Sequence, residues 1–126
     1  MPVPGTRRNL REDERLALLR ILTAIPFDGS AELIAQAKTA TAVETAVTDI
    51  DLEVDPSLPR APVPDGTIPL LQGFVPGELG EDVMVWTIDG RLAGLEIGWV
   101  TDAMPLTFPD PNRITEICLV NRIGSA

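Results

Sequence analysis

Residue types that usually carry catalysis are scarce in this sequence of 126 residues. It contains no histidine and no tyrosine, and Cys118 and Lys38 are its only cysteine and its only lysine. The commonest general base, the commonest zinc ligand and every serine–histidine or cysteine–histidine relay are therefore absent. A lone cysteine also excludes a thiolate zinc or iron–sulfur site, and we expect Cys118 to be a small buried core residue. Carboxylates remain, and we expect no catalytic residue, no cofactor and no metal.

The most regular run of carboxylates alternates with apolar residues. On a strand, four acidic side chains would point to one face at intervals of roughly 7 Å. Such a run has three explanations: a solvated edge strand on which charge opposes aggregation, a surface for a basic protein, or a divalent cation site. We expect the apolar partners Ile50, Leu52 and Val54 to be buried. The four carboxylates, which are the main candidates for partner binding, are Asp49, Asp51, Glu53 and Asp55.

A calcium loop is a poor match to this run. Val54 stands where the sharp turn of such a loop needs glycine, and Arg60 stands where a bidentate glutamate is needed. A glycosidase-type pair of carboxylates is also disfavoured, because a sugar cleft is usually lined with aromatic side chains. The chain has five aromatic residues in all, and none lies within the acidic run.

A second candidate site lies on a β-hairpin. Asp89-Gly90 between two apolar runs is the strongest short signal for a two-residue turn. A regular ladder then pairs Ile88 with Arg91, Trp86 with Ala93 and Met84 with Leu95. We expect the core face to carry Met84, Trp86, Ile88, Ala93, Leu95, Ile97 and Trp99. The opposite face then carries Val83, Val85, Thr87, Leu92, Gly94, Glu96 and Gly98.

Two residues of this hairpin are candidates for contact with a partner. Glu96 lies between Gly94 and Gly98, so another surface can approach the bare backbone beside its carboxylate. The alternative is that a helix or loop of the same chain packs there. Trp99 lies at the end of the strand, where a half-exposed ring can anchor an interface.

The remaining pattern predicts an α+β fold: an N-terminal two-helix hairpin packed on a small, mostly antiparallel sheet with a central Asp-Gly β-hairpin. Asn9 and Glu12 predict the first helix cap, and Pro26 ends that helix. Residues 1–9 are predicted to be a flexible tail, and residues 10–126 a single domain. Further predicted elements are helices over 10–25 and 31–38 and strands over 48–55, 67–74 and 114–120; residues 42–47 fit either strand or helix.

Charge is distributed unevenly along the chain. The net charge is −9, but the first twenty residues carry five arginines against three carboxylates. An acidic body repels phosphate backbones, so nucleic acid is disfavoured, and it favours a basic protein partner or simply solubility. No apolar run approaches the roughly 20 residues of a membrane span. No apolar stretch follows Arg7 and Arg8 as in a secretory signal, so we expect a cytoplasmic protein.

Three segments carry a resemblance to a known group. They are residues 10–19 running on to Pro26-Phe27-Asp28-Gly29, residues 50–55, and residues 83–96. Together they resemble a group of small, uncharacterised proteins common in actinobacteria, which have an acidic hairpin of the form VDDGRLSGLE and a proline-rich tail. The resemblance covers residues 10–113 and implies a bacterial cytoplasmic origin, with no catalytic residue to carry over. Members often have cysteines near Thr41–Thr48, which this chain lacks.

These observations favour a non-catalytic acidic protein-interaction module, such as an immunity- or antitoxin-like inhibitor of a basic partner. Its binding residues would be the acidic run together with Glu96 and Trp99. The alternative is a stand-alone structural or regulatory domain that forms a homodimer through a sheet edge. A carboxylate-based enzyme comes third.

Overall fold

Two α-helices and one antiparallel sheet form the described part of the computed structural model, residues 6–66 and 68–120. This confirms the α+β class. The elements are β1 (Arg7–Asn9), α1 (Glu12–Ala24), α2 (Ser30–Thr39), β2 (Thr41–Ala46), β3 (Asp49–Glu53), β4 (Leu71–Val75), β5 (Glu81–Ile88), β6 (Arg91–Gly98), a 3-10 turn (Pro111–Arg113) and β7 (Thr115–Leu119). No helix in this part of the chain is long and apolar enough to cross a membrane.

The sheet has the strand order β1-β2-β3-β6-β5-β4-β7 in the described residues. Every neighbouring pair is antiparallel. The strand β3 is therefore interior, between β2 and β6, and is not the edge strand that one explanation of the acidic run assumed.

The helices cover one face of the sheet because each has an apolar side. Leu18, Ile21 and Leu22 of α1 and Leu33 of α2 are fully buried against apolar side chains of the inner strands. Arg15 of α1 donates hydrogen bonds to the carbonyls of Ala37 and Ala40, so it satisfies carbonyls at the C-terminal end of α2. We call the uncovered side the open face; it carries Asp49, Asp51, Glu53, Gln72, Phe74, Asp82, Met84, Trp86, Gly94, Glu96 and Gly98.

The N-terminal segment was wrongly predicted to be a tail as far as residue 9. Arg7–Asn9 pair with Thr41–Val43 and form an edge strand. Arg8 points to the helix side, where its guanidinium donates two hydrogen bonds of 2.8 Å to the buried carboxylate of Glu14. The backbone N–H of Arg11 also donates to Glu14, so the helix cap lies two residues later than the Asn9–Glu12 pair predicted.

The central hairpin has the predicted turn but a different register. Asp89 and Gly90 both have positive φ, 55° and 72°, as a two-residue turn of type I′ requires, and Ile88 pairs with Arg91. A β-bulge at Ala93 then shifts the ladder by one residue. Trp86 consequently pairs with Gly94, and Met84 with Glu96.

The bulge overturns the predicted facing of β5. Val83, Val85 and Thr87 are the buried residues of that strand, whereas Met84 and Trp86 lie half-buried on the open face and Ile88 is exposed. On β6, only the residues before the bulge face the opposite way from the prediction. Leu92 is buried in place of Ala93, while the predicted burial of Leu95 and Ile97 is confirmed.

A buried glutamine joins α2, the hairpin and the proline-rich connection. Gln36 donates hydrogen bonds of 3.0 Å to the carbonyls of Pro59 and Gly90 and accepts one of 3.0 Å from the N–H of Leu92. A side chain on Gly90 would overlap the backbone of Ala61, so the turn can approach the connection closely only with glycine there.

Candidate protein-interaction surface

Acidic side chains meet on the open face because the register places them on neighbouring strands. Asp49 of β3 lies directly opposite Glu96 of β6, and Glu96 lies opposite Met84 of β5. Directly opposite residues in an antiparallel pair have Cβ atoms about 5 Å apart. Two carboxylates that are distant in sequence are therefore close neighbours in the middle of the sheet.

A third carboxylate is held beside this pair. Asp82 pairs with Gly98 and accepts a hydrogen bond from the amide of Gln72 on β4. A Cβ atom at position 98 would overlap the carboxylate oxygen of Asp82, so the missing side chain of Gly98 lets that carboxylate lie against β6. The predicted close approach to bare backbone beside Glu96 is thus made by a side chain of the same chain.

The pKa of Glu96 is raised above its ordinary value. Partial burial is the largest cause, and the negative charges of Asp49 and Asp82 add to it. All three causes penalise the charged carboxylate. A positive charge placed next to Glu96 would offset two of them.

The acidic run on β3 has the predicted alternation. Asp49, Asp51 and Glu53 are exposed, while Ile50 and Leu52 are buried. Arg7 of the neighbouring edge pairs with Glu53. Within residues 6–66 and 68–120, no arginine or lysine forms an ion pair with Asp49, Asp51, Asp82 or Glu96.

Asp55, which was predicted to continue the run, lies beyond the end of β3. Its carboxylate accepts a 2.9 Å hydrogen bond from the backbone N–H of Ser57, and this bond lowers the pKa of Asp55. Asp55 therefore begins a turn instead of facing outward from the sheet. Val54, predicted to be buried with the strand, is only partly buried.

The region after β6 exposes apolar side chains that the sequence pattern indicated only at Trp99. Trp99 is about one-third exposed, and Val100 and Leu106 are 81% and 87% exposed. Met104 is exposed as well. We call residues 99–106 the apolar segment. Proline and short polar residues separate the apolar residues of this segment, so they show no regular periodicity in the sequence.

The position of Cys118 also bears on chemistry. Cys118 is exposed on β7, opposite Gln72, so the expectation that it is buried was wrong. It faces the open side because β7 pairs with β4 in this register. The described residues contain no group of three or more histidine, cysteine or acidic side chains arranged to hold a metal ion.

Comparison of the chain with protein-family models, with curated proteins and with solved structures finds no match.

Proposed function

We propose that this protein is a non-catalytic interaction module that binds a basic protein through the open face of its sheet. The observation that carries the proposal is the position of the acidic run on an interior strand. Charge on an edge strand has an explanation in blocked aggregation, but β3 is paired on both sides and needs no such protection.

The electrostatic cost of the open face supports the same proposal. Asp49 and Glu96 are directly opposed like charges, an arrangement that destabilises a sheet. A cationic partner removes this cost on binding, so part of the binding free energy comes from relieved repulsion. Acidic surfaces of this kind also accelerate association with basic proteins, and an immunity- or antitoxin-like inhibitor would use such a surface to cover a cationic active site. We place such a complex in the cytoplasm.

The partner can be sought by photo-crosslinking. A photoreactive amino acid at position 51 is expected to capture a basic protein in lysate of the source cells, whereas the same group at position 12, on the exposed side of α1, is expected to capture none. With that protein purified, stopped-flow association with wild type is compared with Asp49→Lys/Asp51→Lys. Glu53 is left unchanged because Arg7 already pairs with it.

We expect the double reversal to slow association at least tenfold at low salt, because steered association depends on complementary charge. Glu12→Lys/Asp28→Lys is the matched control: it changes net charge equally at two exposed positions on the helix side. An equal effect of both variants would refute the open face as the binding surface. A dimer mass that persists in low and high salt without any partner would instead favour the homodimer.

A further inference from the structure

The apolar segment is ordered against the end of the central hairpin. The backbone N–H of Val100 donates a 2.9 Å hydrogen bond to the carbonyl of Leu79, which continues the β5–β6 ladder one step beyond the Asp82–Gly98 pair. The side chain of Val100 packs on Gly80, where it occupies the space that a Cβ atom would take. Val100 is thus fixed in place while most of its surface faces solvent.

This segment begins where the acidic part of the open face ends. Glu96, Gly98 and Val100 are alternate residues, and the Asp82 carboxylate lies against Gly98 between the other two. Along a strand, Glu96 and Val100 are separated by roughly 13 Å, a distance that one short segment of a partner can span. Charged and apolar groups therefore adjoin on one side of the hairpin end.

The charge around the segment selects among possible occupants. Asp13, Glu81 and Asp110 line the pocket beside Leu106 together with one cation, Arg113, and Asp102 lies within the segment. An anionic lipid surface would be repelled by these carboxylates. A wholly apolar partner would remove water from them without supplying a positive charge in its place. A cationic segment with apolar side chains satisfies both features.

We propose that the partner binds through an amphipathic basic segment, whose lysine or arginine side chains meet Asp82 and Glu96 and whose apolar side chains pack on Val100. This deepens the proposed function and rests on it. Charge at an interface mainly steers association, whereas buried apolar contacts supply most of the affinity. Val100 is accordingly the source of affinity, and the carboxylates of the open face are the source of association rate.

Two synthetic peptides of equal charge test this division. Each has six arginines; one has four leucines between them and the other has four serines. Binding to the full chain is measured by isothermal titration calorimetry. We expect wild type to bind the leucine peptide at least tenfold more tightly, because burial of even one large apolar side chain contributes about 1.5–3 kcal/mol.

Val100→Ser is expected to abolish this preference while retaining the weaker binding of the serine peptide. Asp82→Asn/Glu96→Gln is expected to weaken both peptides by a similar factor. Leu16→Ser, an equivalent change at an exposed residue of α1, is the control and should leave both affinities unchanged. Thermal melts of each variant confirm that the fold is retained.

The possible failures are distinguishable. Equal binding of the two peptides by wild type would overturn the amphipathic partner and leave the acidic interaction module standing. Absence of binding by either peptide at low salt would overturn both proposals. If wild type binds neutral phosphatidylcholine vesicles, and Val100→Ser loses that binding but keeps the peptide preference, the segment contacts lipid and the present proposal is wrong.

Discussion

Gln36 shows how one buried polar residue can organise three parts of the chain. The amide group of its side chain forms hydrogen bonds with the hairpin turn, with the start of β6 and with the proline-rich connection. Gln36→Met fills a similar volume but leaves the buried Leu92 N–H without its partner, whereas the Gly90 carbonyl keeps a 2.8 Å hydrogen bond from the N–H of Ala61. Because a buried group left unpaired costs about 1–3 kcal/mol, we expect a loss of about 1–3 kcal/mol in the free energy of unfolding by urea. Lys38→Met, exposed on the same helix, should change it by less than about 0.5 kcal/mol.

Glu96 gives a pH-dependent prediction at the same scale. Its folded-state pKa is raised, so the folded protein holds this proton more tightly than the unfolded chain does. The stabilisation from protonated Glu96 is full below its unfolded pKa and is lost as pH rises through the folded pKa. We therefore expect Glu96→Gln to stabilise the fold at pH 7 by about 0.2–1 kcal/mol, the range for opposed cross-strand charges.

The difference between wild type and Glu96→Gln should disappear in acid, where wild-type Glu96 is itself neutral. Thermal unfolding of both proteins between pH 3 and pH 8 measures it. A variant that is less stable than wild type at pH 7 would show that Glu96 makes a favourable interaction as an anion, contrary to the repulsion described.

At the scale of elements, the junction of β1 and α1 depends on buried charge. Glu14 is fully buried, and its carboxylate forms ion pairs with the guanidinium groups of Arg8 and Arg11, at 2.8 Å and 2.9 Å. We expect Glu14→Gln to cost about 2–3 kcal/mol, below the figure for fully buried pairs because Arg8 keeps some contact with water. Amide hydrogen exchange of β1 should accelerate more than that of β5. Glu12→Gln, exposed in the same helical turn, should affect neither measurement.

Elements with local signals were predicted from the sequence. The Asp89-Gly90 turn and the burial of Ile50 and Leu52 follow from turn chemistry and from a period of two, and both are confirmed. The bulge at Ala93 has no local signal, and the N–H of the residue before it, Leu92, is bonded to Gln36 of α2, 56 residues away in the sequence. That single extra residue reversed the predicted facing of Trp86.

Non-local contacts explain the other differences. Arg7–Asn9 contain no apolar alternation, and their strand exists because β2 and Glu14 lie next to them in the fold. The sequence showed that the carboxylates of β3 share a face, but only the strand order brings Asp49 beside Glu96 and Asp82. Predicting this part of the site needs the pairing of residues that lie more than 40 positions apart in the sequence.

At the scale of the whole molecule, charge is segregated by the fold. The chain carries a net charge of −9, and four carboxylates without ion pairs in the described residues, Asp49, Asp51, Asp82 and Glu96, gather on the open face. Self-repulsion of this kind destabilises the compact state, and it is screened as the Debye length falls from about 30 Å at 0.01 M salt to about 10 Å at 0.1 M. Stability should therefore rise with salt, and most of the rise should come from this face.

We expect the melting temperature of wild type to rise by about 3 °C between 0.01 and 0.3 M sodium chloride, equivalent to under 1 kcal/mol for a domain of this size. Asp49→Asn/Asp51→Asn/Glu96→Gln should melt higher than wild type at low salt and show a much smaller rise. Asp28→Asn/Glu78→Gln/Asp102→Asn removes the same number of negative charges at exposed positions off the open face and should keep most of the rise. Any general effect of chloride on protein stability is common to all three proteins, so differential scanning fluorimetry of the set isolates the electrostatic part. Equal loss of the salt response in both triple variants would mean that net charge alone causes the repulsion, and the gathering of carboxylates on the open face would then carry no energetic cost for a partner to relieve.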